Sequence, residues 1–360
     1  MPTTPDRVGE PLNLLELEER AAAVLEPLAY DYYRSGAGAE VTLERNQAAF
    51  GEIELLPRVL VDVDAVDPAT TLLGTPMAHP IVVAPTAFHR LAHPEGEVAT
   101  ARGAAAAGAV MCLSSLSNTP LEEVAAAAGP RWFQLYVFRD RGVTRDLVAR
   151  AEASGFEAIV LTVDAPVLGR RERDVRNEFA LPEGLRIACV PDGEVVAPAG
   201  GSGLAAYVAT MIDASLDWDD LEWLASITDL PVAVKGIHRP DDAERAVAAG
   251  AAGVIVSNHG GRQLDTVPAT IEMLPAIAQA VDGRADVLVD SGVRRGTDVI
   301  KALALGAGGV LIGRPVVWGL ALDGAEGVRR TVDLLVAETR EAMMLCGARD
   351  LAGIGADLLA

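Results

Sequence analysis

Eight short apolar runs, rich in β-branched residues, recur along the chain and are mostly separated by segments with helical spacing. The runs cover residues 81–86 (IVVAPT), 110–114, 131–136, 158–164, 231–236, 253–258, 286–292 and 309–314. Near-continuous apolar strands that alternate with helices are typical of a parallel sheet with a covered outer face. Because a doubly wound sheet more often has about five to seven strands, eight units predict an α/β fold of the (β/α)8 TIM barrel type.

The segments outside these runs predict how the barrel is covered. Residues 12–35 have a helical pattern and residues 52–64 look extended, so a helical and extended cap is expected before the barrel. The longest interval follows the fourth strand and contains a stretch rich in Gly and Pro. Long loops at a barrel mouth are usually functional, so we predict a lid over about 165–216. We expect one domain over residues 1–360, with the barrel over about 81–345.

Composition disfavours several classes of partner. The formal net charge of −21 argues against nucleic acid, because phosphate backbones attract the opposite charge. Neither a long apolar run for a membrane span nor a secretory signal is present in the sequence. The three cysteines, Cys112, Cys189 and Cys346, form no CxxC pair and are interpreted as buried thiols, not as disulfides or metal ligands. A cytoplasmic protein without a metal ion is therefore expected.

Polar and small residues follow each apolar run, at the end of the barrel where function is usually found. They are Thr86 and Ala87, Ser114, Gln134 to Tyr136, Thr162 to Asp164, Lys235, Ser257 to His259, Asp290 to Gly292, and Gly313 with Arg314. Loops are polar in any protein, which explains any single position. It explains less well a histidine, an aspartate, a lysine and several amides and hydroxyls that converge on a single mouth.

Two neighbouring strand ends add a signal for an anion site. After the seventh and eighth strands, glycines accompany Arg294, Arg295 and Arg314, next to the predicted start of a helix at Thr297. Backbone N–H groups, a helix N-terminus and guanidinium groups together bind phosphate, and barrels often hold a cofactor phosphate at this corner. Nearby amides and hydroxyls suit a flat heterocycle, which favours flavin mononucleotide (FMN) as cofactor. No GxGxxG follows an early strand to indicate a dinucleotide.

Several longer motifs carry a family resemblance. They include SNHGGRQLD (257–265), LTVDAPVLGRRE (161–172), FQLYVFRDR (133–141) and DSGVRRGTD (290–298). With them the chain resembles the FMN-dependent L-2-hydroxy acid oxidase/dehydrogenase family, which includes glycolate oxidase, lactate oxidase and mandelate dehydrogenase. The resemblance begins at residues 30–37 and covers nearly the whole chain, with the motifs in the family order.

The resemblance implies roles for the residues that handle the substrate. His259 would take a proton from the substrate and Asp164 would pair with the resulting imidazolium, since a carboxylate stabilises a charged histidine. Arg262 would hold the substrate carboxylate by a planar two-point contact. Arg171 and Tyr32 would assist it.

The resemblance also implies how the flavin is held. Tyr136 would hydrogen-bond the hydroxyl oxygen on the substrate carbon that is oxidised. Lys235 would stabilise the negative charge of the reduced flavin near N1. The backbone at Ala87 would contact flavin N5. The other implied flavin-binding residues are Pro85, Thr86, Ser114, Gln134, Thr162, Ser257, Asp290, Ser291, Gly292, Val293, Arg294, Gly313 and Arg314.

Structural explanations compete with some of these roles. Tyr32 is also compatible with one face of an amphipathic helix, and Asp164 with a cap at the end of a strand. Ser114 and Thr162 are able to satisfy local backbone groups. Arg170 is an alternative to Arg171 for the same role.

One departure from the family bears on the substrate. Leu116 stands where glycolate-preferring relatives usually carry Trp, which predicts a larger pocket and a preference for lactate-like or larger L-2-hydroxy acids. Ala87 resembles the oxidase branch, so oxygen is the expected electron acceptor and hydrogen peroxide the expected product. The alternatives are a dehydrogenase with another acceptor, an FMN barrel isomerase, or a noncatalytic flavoprotein. Relatives are commonly homotetramers, and the resemblance implies the same here.

Overall fold

A computed structural model describes residues 11–127, 129–191, 193–196 and 198–360. Eight parallel strands form a closed barrel in sequence order, and the last strand pairs with the first. A separate two-stranded hairpin, β1 (Thr70–Leu72) and β2 (Thr75–Met77), comes before the barrel. The barrel strands are β3 (Ile81–Val83), β4 (Val110–Ser114), β5 (Arg131–Leu135), β6 (Ile159–Thr162), β7 (Val232–Ile237), β8 (Gly253–Val256), β9 (Asp286–Val289) and β10 (Gly309–Ile312). The predicted (β/α)8 barrel is confirmed.

Helices surround the barrel, and some of them lie at its mouth. They are α1 (Leu14–Ala22), α2 (Pro27–Arg34), α3 (Val41–Gly51), α4 (Gly96–Ala106), α5 (Leu121–Ala125), α6 (Arg141–Ala153), α7 (Glu172–Arg176), α8 (Gly203–Met211), α9 (Trp218–Ser226), α10 (Pro240–Ala248), α11 (Thr270–Val281), α12 (Gly296–Ala304) and α13 (Arg314–Cys346). The helical stretch predicted over 12–35 is two helices, because a proline at the first turn starts α2 afresh.

Burial on both faces explains why the strands are continuous apolar runs. Every residue of β6, β8 and β10 is buried, with one set of side chains inside the barrel and the other against the helices. The β1–β2 hairpin closes the base, where Leu72, Leu73 and Met77 join the interior cluster. Trp132 donates its indole N–H to Thr75 there, at 3.0 Å.

The N-terminal helices reach the opposite end, where the strands finish. The Asp265 carboxylate accepts backbone N–H groups of Ala39 and Thr42, each at 2.9 Å. Asn46 on α3 and Asn258 after β8 exchange two amide hydrogen bonds of 2.9 and 2.7 Å. The cap therefore holds the loop after β8 at the mouth.

The segment between β6 and β7 is more structured than a loop, since it includes α7 and α8. The stretch 52–64, predicted to be extended, contains no helix and only an isolated bridge of Leu55 with Leu359, and it hydrogen-bonds to C-terminal residues. The three cysteines are free and buried. Over the described ranges, no helix combines the length and apolar character needed to cross a bilayer. In that same part of the chain, no three His, Cys, Asp or Glu side chains are grouped as metal ligands.

Candidate active site

One cavity opens at the mouth of the barrel and collects the predicted site residues. About 1200 Å³ of space free of protein atoms lies within it, including the part open to solvent. The predicted residues on its wall are Tyr32, Pro85, Thr86, Ala87, Ser114, Leu116, Gln134, Tyr136, Thr162, Arg171, Lys235, His259, Arg262, Asp290, Ser291, Gly292, Val293, Arg294, Gly313 and Arg314. Two others lie directly behind the wall, since Asp164 hydrogen-bonds His259 and Ser257 hydrogen-bonds Lys235.

The central pair is His259 and Asp164. Nδ1 of His259 lies 2.9 Å from Oδ1 of Asp164, and only 4% of the carboxylate side chain is exposed. This bond fixes which ring nitrogen faces the carboxylate and leaves Nε2 as the nitrogen for a substrate. The pairing argues against Asp164 as a simple strand cap.

The turn that presents His259 is left-handed over three consecutive residues. φ is 57° at His259, 67° at Gly260 and 73° at Gly261. A side chain at Gly261 would collide, because its Cβ would lie 2.7 Å from the backbone nitrogen of Leu43. The two glycines therefore allow a turn that carries the histidine into the cavity close to the arginines.

The surroundings of His259 favour the neutral base. Burial lowers its pKa below the usual value, and the positive charges of Lys235 and Arg171 add to this effect, whereas Asp164 opposes it. Burial would raise the pKa of Asp164, but the histidine and lysine beside it hold that pKa below the usual range. Near neutral pH the pair is thus an uncharged imidazole with an ionised carboxylate.

Two arginines face the same part of the cavity. Nη1 of Arg262 donates to the backbone carbonyls of Tyr32 and Ser35 at 2.6 and 2.8 Å, at the C-terminal end of α2. Its guanidinium also lies 5.0 Å from the centre of the Tyr32 ring. Arg171 is buried and Arg170 is exposed, so the structure favours Arg171 for the cavity. Burial and repulsion from Arg262 lower the pKa of Arg171 to about 10, although the buried Asp174 carboxylate lies 3.8 Å from its Nη1 and opposes this effect.

A second group of cations lies on the other side. Arg314 donates to carbonyls of Tyr33, Gly260 and Ser35 at 2.9, 3.0 and 3.1 Å. Burial, with repulsion from Arg262 and Arg294, holds the pKa of Arg314 well below its usual value. Because Arg314 is also the first residue of α13, an anion at this helix N-terminus would offset both effects.

The anion site was predicted beside the N-terminus of the helix near Thr297, which is α12. The first backbone N–H groups near α12 are taken up by carboxylates: Asp298 accepts from Arg294 and Arg295 at 2.9 Å each, and Glu338 accepts from Gly296. The side chain of Arg295 pairs with Glu338 at 3.3 Å, outside the cavity. The N-terminus of α13 lines the cavity instead.

Neutral polar groups run across the mouth between these charged regions. Ser114 donates to Gln134 Oε1 and Gln134 Nε2 donates to Thr162, each at 3.0 Å. On the facing side, Nζ of Lys235 lies 3.0 Å from Asp290 Oδ2 and 2.8 Å from Ser257. Although burial would lower the pKa of Lys235, Asp290 and Asp164 raise it, so the ammonium is charged.

Sequence reasoning missed an apolar wall contributed by α8. Leu204 and Val208 on α8 and Ile212 just after it line the cavity together with Leu168. The spacing of four residues places the first three on one face of the helix. That spacing, after a capping serine at Ser202, was a signal in the sequence for a helix inside the predicted lid. Tyr33 and Gln263 also line the cavity and had been assigned no role.

A sequence model for the family described as FMN-dependent dehydrogenase matches residues 21–360. The chain belongs to this family. It is 52% identical to an L-lactate oxidase of Nostoc sp., over 98% of this chain and 99% of that one. It is also 52% identical to glycolate oxidase 3 of Arabidopsis thaliana, over 94% and 93% of the two chains. The structure of a mandelate oxidase with (S)-4-hydroxymandelic acid superposes with a TM-score of 0.94 at 46% identity, covering 97% and 98%.

The predicted family and FMN cofactor are therefore confirmed, and the protein is an FMN-dependent oxidoreductase. The cavity fits this cofactor. Arg294 is a buried cation and Arg314 a partly buried one, and the side-chain hydrogen bonds of both go to backbone carbonyls, which suits a phosphate. The amide and hydroxyl groups of Ser114, Gln134 and Thr162 suit the edge of a flavin ring. When bound, FMN supplies a two-electron acceptor that these side chains cannot provide.

Proposed function

We propose that the protein oxidises an L-2-hydroxy acid to the 2-oxo acid and passes the electrons to oxygen, which forms hydrogen peroxide. The observation that carries this proposal is the meeting of the His259–Asp164 pair with Arg262 and Arg171 in the cavity that suits FMN. A base and a carboxylate clamp on the wall of one cavity fit a small acid with a hydroxyl group on its second carbon.

Each side chain has a role in this reaction. Arg262 and Arg171 would bind the substrate carboxylate, and the Tyr136 hydroxyl would hydrogen-bond the substrate oxygen. Burial raises the pKa of Tyr136 above its usual value, so its O–H is a donor at all ordinary pH values. Neutral His259 would accept the hydroxyl proton while Asp164 stabilises the imidazolium. The two electrons and the α-hydrogen leave the carbon, and oxygen finally receives two electrons and two protons.

The wall of the cavity supports a substrate with an apolar side chain. Leu116, Leu168, Leu204, Val208 and Ile212 line it, and all are aliphatic. Each additional methylene of the substrate that is fully buried against an apolar wall stabilises the bound substrate by about 0.8 kcal/mol. We propose that lactate or larger L-2-hydroxy acids are preferred over glycolate, which has no carbon group to place there.

The relatives support oxygen as the acceptor, since those named above are called oxidases. We extend the proposal to a single FMN-binding domain over residues 1–360, with the barrel over about 81–345 and the lid over 165–216. Ala165, Leu168 and Arg171 from that lid segment line the cavity. The homotetramer and the cytoplasmic location stay predictions.

Anaerobic flavin reduction tests the reaction. The yellow enzyme is mixed with glycolate, L-lactate, L-2-hydroxyoctanoate or L-mandelate without oxygen, and the flavin absorbance is followed. Bleaching by an L-acid and not by its D-enantiomer is expected. Retention of colour with every acid would overturn the proposal and favour an isomerase or a noncatalytic flavoprotein.

Oxygen consumption then tests the acceptor and the preference. In air, one hydrogen peroxide should form for each 2-oxo acid. Slow reoxidation by oxygen together with fast reoxidation by an artificial dye would instead indicate a dehydrogenase. A higher kcat/KM for glycolate than for lactate, 2-hydroxyoctanoate and mandelate would overturn the proposed preference.

A further inference from the structure

Asp164 and His259 come from strands that are not neighbours. Asp164 follows β6 and His259 follows β8, and β7 lies between the two strands in the barrel. No direct ladder of hydrogen bonds between β6 and β8 therefore sets the distance between them. The 2.9 Å contact of carboxylate and imidazole needs another connection between the two loops.

That connection is the side chain of Gln263. Its Nε2 donates to the backbone carbonyls of Asp164 and Val167, both at 2.9 Å. Its Oε1 accepts the backbone N–H of Gly169 at 3.0 Å. Two carbonyls at one end and one N–H at the other fix the orientation of the amide.

The connection is buried and closely packed. Gln263 is 9% exposed, and the segment 163–171, to which its partners Asp164, Val167 and Gly169 belong, has no regular secondary structure. The partly buried backbone groups of these three residues have no partner in a helix or strand, and the side chain of Gln263 supplies one for each. A Cβ on Gly169 would lie 2.3 Å from the Arg262 carbonyl, so the two loops are in backbone contact.

The opposite side of Asp164 is held by β7. Gly236 has φ of 110°, at an irregularity in the pairing of β7 with β8. A Cβ there would lie 2.6 Å from Cβ of Asp164. Asp164 is thus confined between the glycine of one strand and the amide that reaches across from the next loop.

We propose that Gln263 is a positioning residue that holds Asp164 against His259. This inference rests on the proposed function, because it assigns Gln263 to the base of that reaction. By the same three bonds, Gln263 also sets the path of the chain that leads to Leu168 and Arg171 on the cavity wall.

The test compares wild-type holoenzyme with Gln263→Met, which has a similar shape and lacks all three hydrogen bonds. Because Asp164 raises the pKa of His259 against the effect of burial, a looser pair should lower that pKa further. The acid limb of kcat/KM should move to lower pH, and kcat should fall about 10- to 100-fold, as expected for a small misplacement of a reacting group. Gln263→Asn, whose amide is one carbon shorter, should shift the limb in the same direction by less.

Thr75→Val is the matched control. It removes the buried acceptor of the Trp132 indole at the base of the barrel, and so should lower stability without moving the acid limb. An acid limb at the wild-type pH in both Gln263 variants would overturn the inference. So would the same shift in Thr75→Val, because loss of stability alone would then explain it.

A readout without turnover separates this inference from the proposed function. The chain has five histidines, and the ring resonance of His259 is identified as the one missing in His259→Gln. Its titration by NMR should have a lower midpoint in Gln263→Met than in wild type. Inactivity of the wild type with every acid would refute the proposed function only, and an unchanged midpoint would refute the inference only. If Gln263→Met does not retain FMN, Gln263→Asn takes its place in both measurements.

Discussion

The base and the mouth of the barrel bury different kinds of side chain. At the base, Leu72, Leu73 and Met77 fill the interior, and the Trp132 indole N–H is paired there with Thr75. At the mouth, charged side chains are buried to a similar degree, namely those of Arg171, Lys235, Asp290 and Arg294, and Arg314 is partly buried. Burial lowers the pKa of each of the three arginines.

The difference teaches where stability and function reside. Buried charges are costly unless they are paired, and the arginines at the mouth are held mainly by backbone carbonyls. This arrangement is incomplete in charge without anions, and a cofactor phosphate with a substrate carboxylate would complete it. The base, in contrast, is complete without a ligand. Substitutions at the two ends should therefore separate turnover from stability.

The largest expected effect follows from His259→Gln at the mouth. The amide keeps polar contacts but takes up no proton, so kcat should fall by about 10²–10⁴-fold, the usual contribution of a general base. Bound FMN, measured by flavin absorbance per chain, should stay as in wild type. The control is His93→Gln, which replaces a histidine that does not line the cavity and should keep the wild-type kcat. Loss of flavin colour in His259→Gln would show that the histidine supports the fold instead.

The mouth was largely predictable because parallel strands end together. Once eight runs were recognised, the residues that follow them had to share one edge, which brought His259 and Asp164 together across β7. The glycines at 260 and 261 were interpreted as a turn that brings His259 and Arg262 to the same small substrate. The strand ends and the site residues after them could be predicted because they depend on short apolar runs and on which single positions are polar, and both are visible in a sequence.

The rest depended on contacts between distant parts of the chain. The anion site was assigned to the helix after β9, but Asp298 and Glu338 satisfy that helix, and α13 faces the cavity. The partners of Gln263 are backbone groups more than ninety residues earlier in the chain, which leave no mark in a sequence. The helix α8, which supplies the apolar wall, was overlooked because the Gly- and Pro-rich stretch before it favoured a loop.

A smaller effect is expected from Arg314→Met in the same mouth. Loss of a charge-assisted hydrogen bond costs about 1.5–3 kcal/mol, so the Kd for FMN should rise roughly 10- to 150-fold. Equilibrium dialysis of the flavin measures it. Arg295→Met removes a neighbouring arginine that pairs with Glu338 outside the cavity, and it should keep wild-type affinity. Equal weakening in both variants would mean that overall positive charge, and not the guanidinium of Arg314 in the cavity, binds the phosphate.

The apolar wall should respond with a change of preference rather than a loss of turnover. Leu116→Trp narrows the cavity, so the ratio of kcat/KM for 2-hydroxyoctanoate over glycolate should fall roughly tenfold, within the range for a change of pocket size. Leu116→Met conserves volume and should keep the wild-type ratio. Steady-state rates with both acids measure the ratio. An unchanged ratio in Leu116→Trp would show that the substrate side chain lies elsewhere, for example along Leu204 and Val208.

The smallest effect on turnover is expected at the base, where Leu72 is 2% exposed and reaches Gly308 and Gly309 with its side chain. Leu72→Ala leaves a cavity and should cost about 2–5 kcal/mol of unfolding free energy. Denaturant unfolding of the FMN-bound protein measures this loss, while kcat/KM for the preferred acid and the pH of its acid limb should equal those of wild type. A drop in kcat/KM as large as that of Arg314→Met would remove the distinction between the two ends. It would mean that the packing of Leu72 at the base helps to hold the strand ends, and with them His259, in register at the mouth.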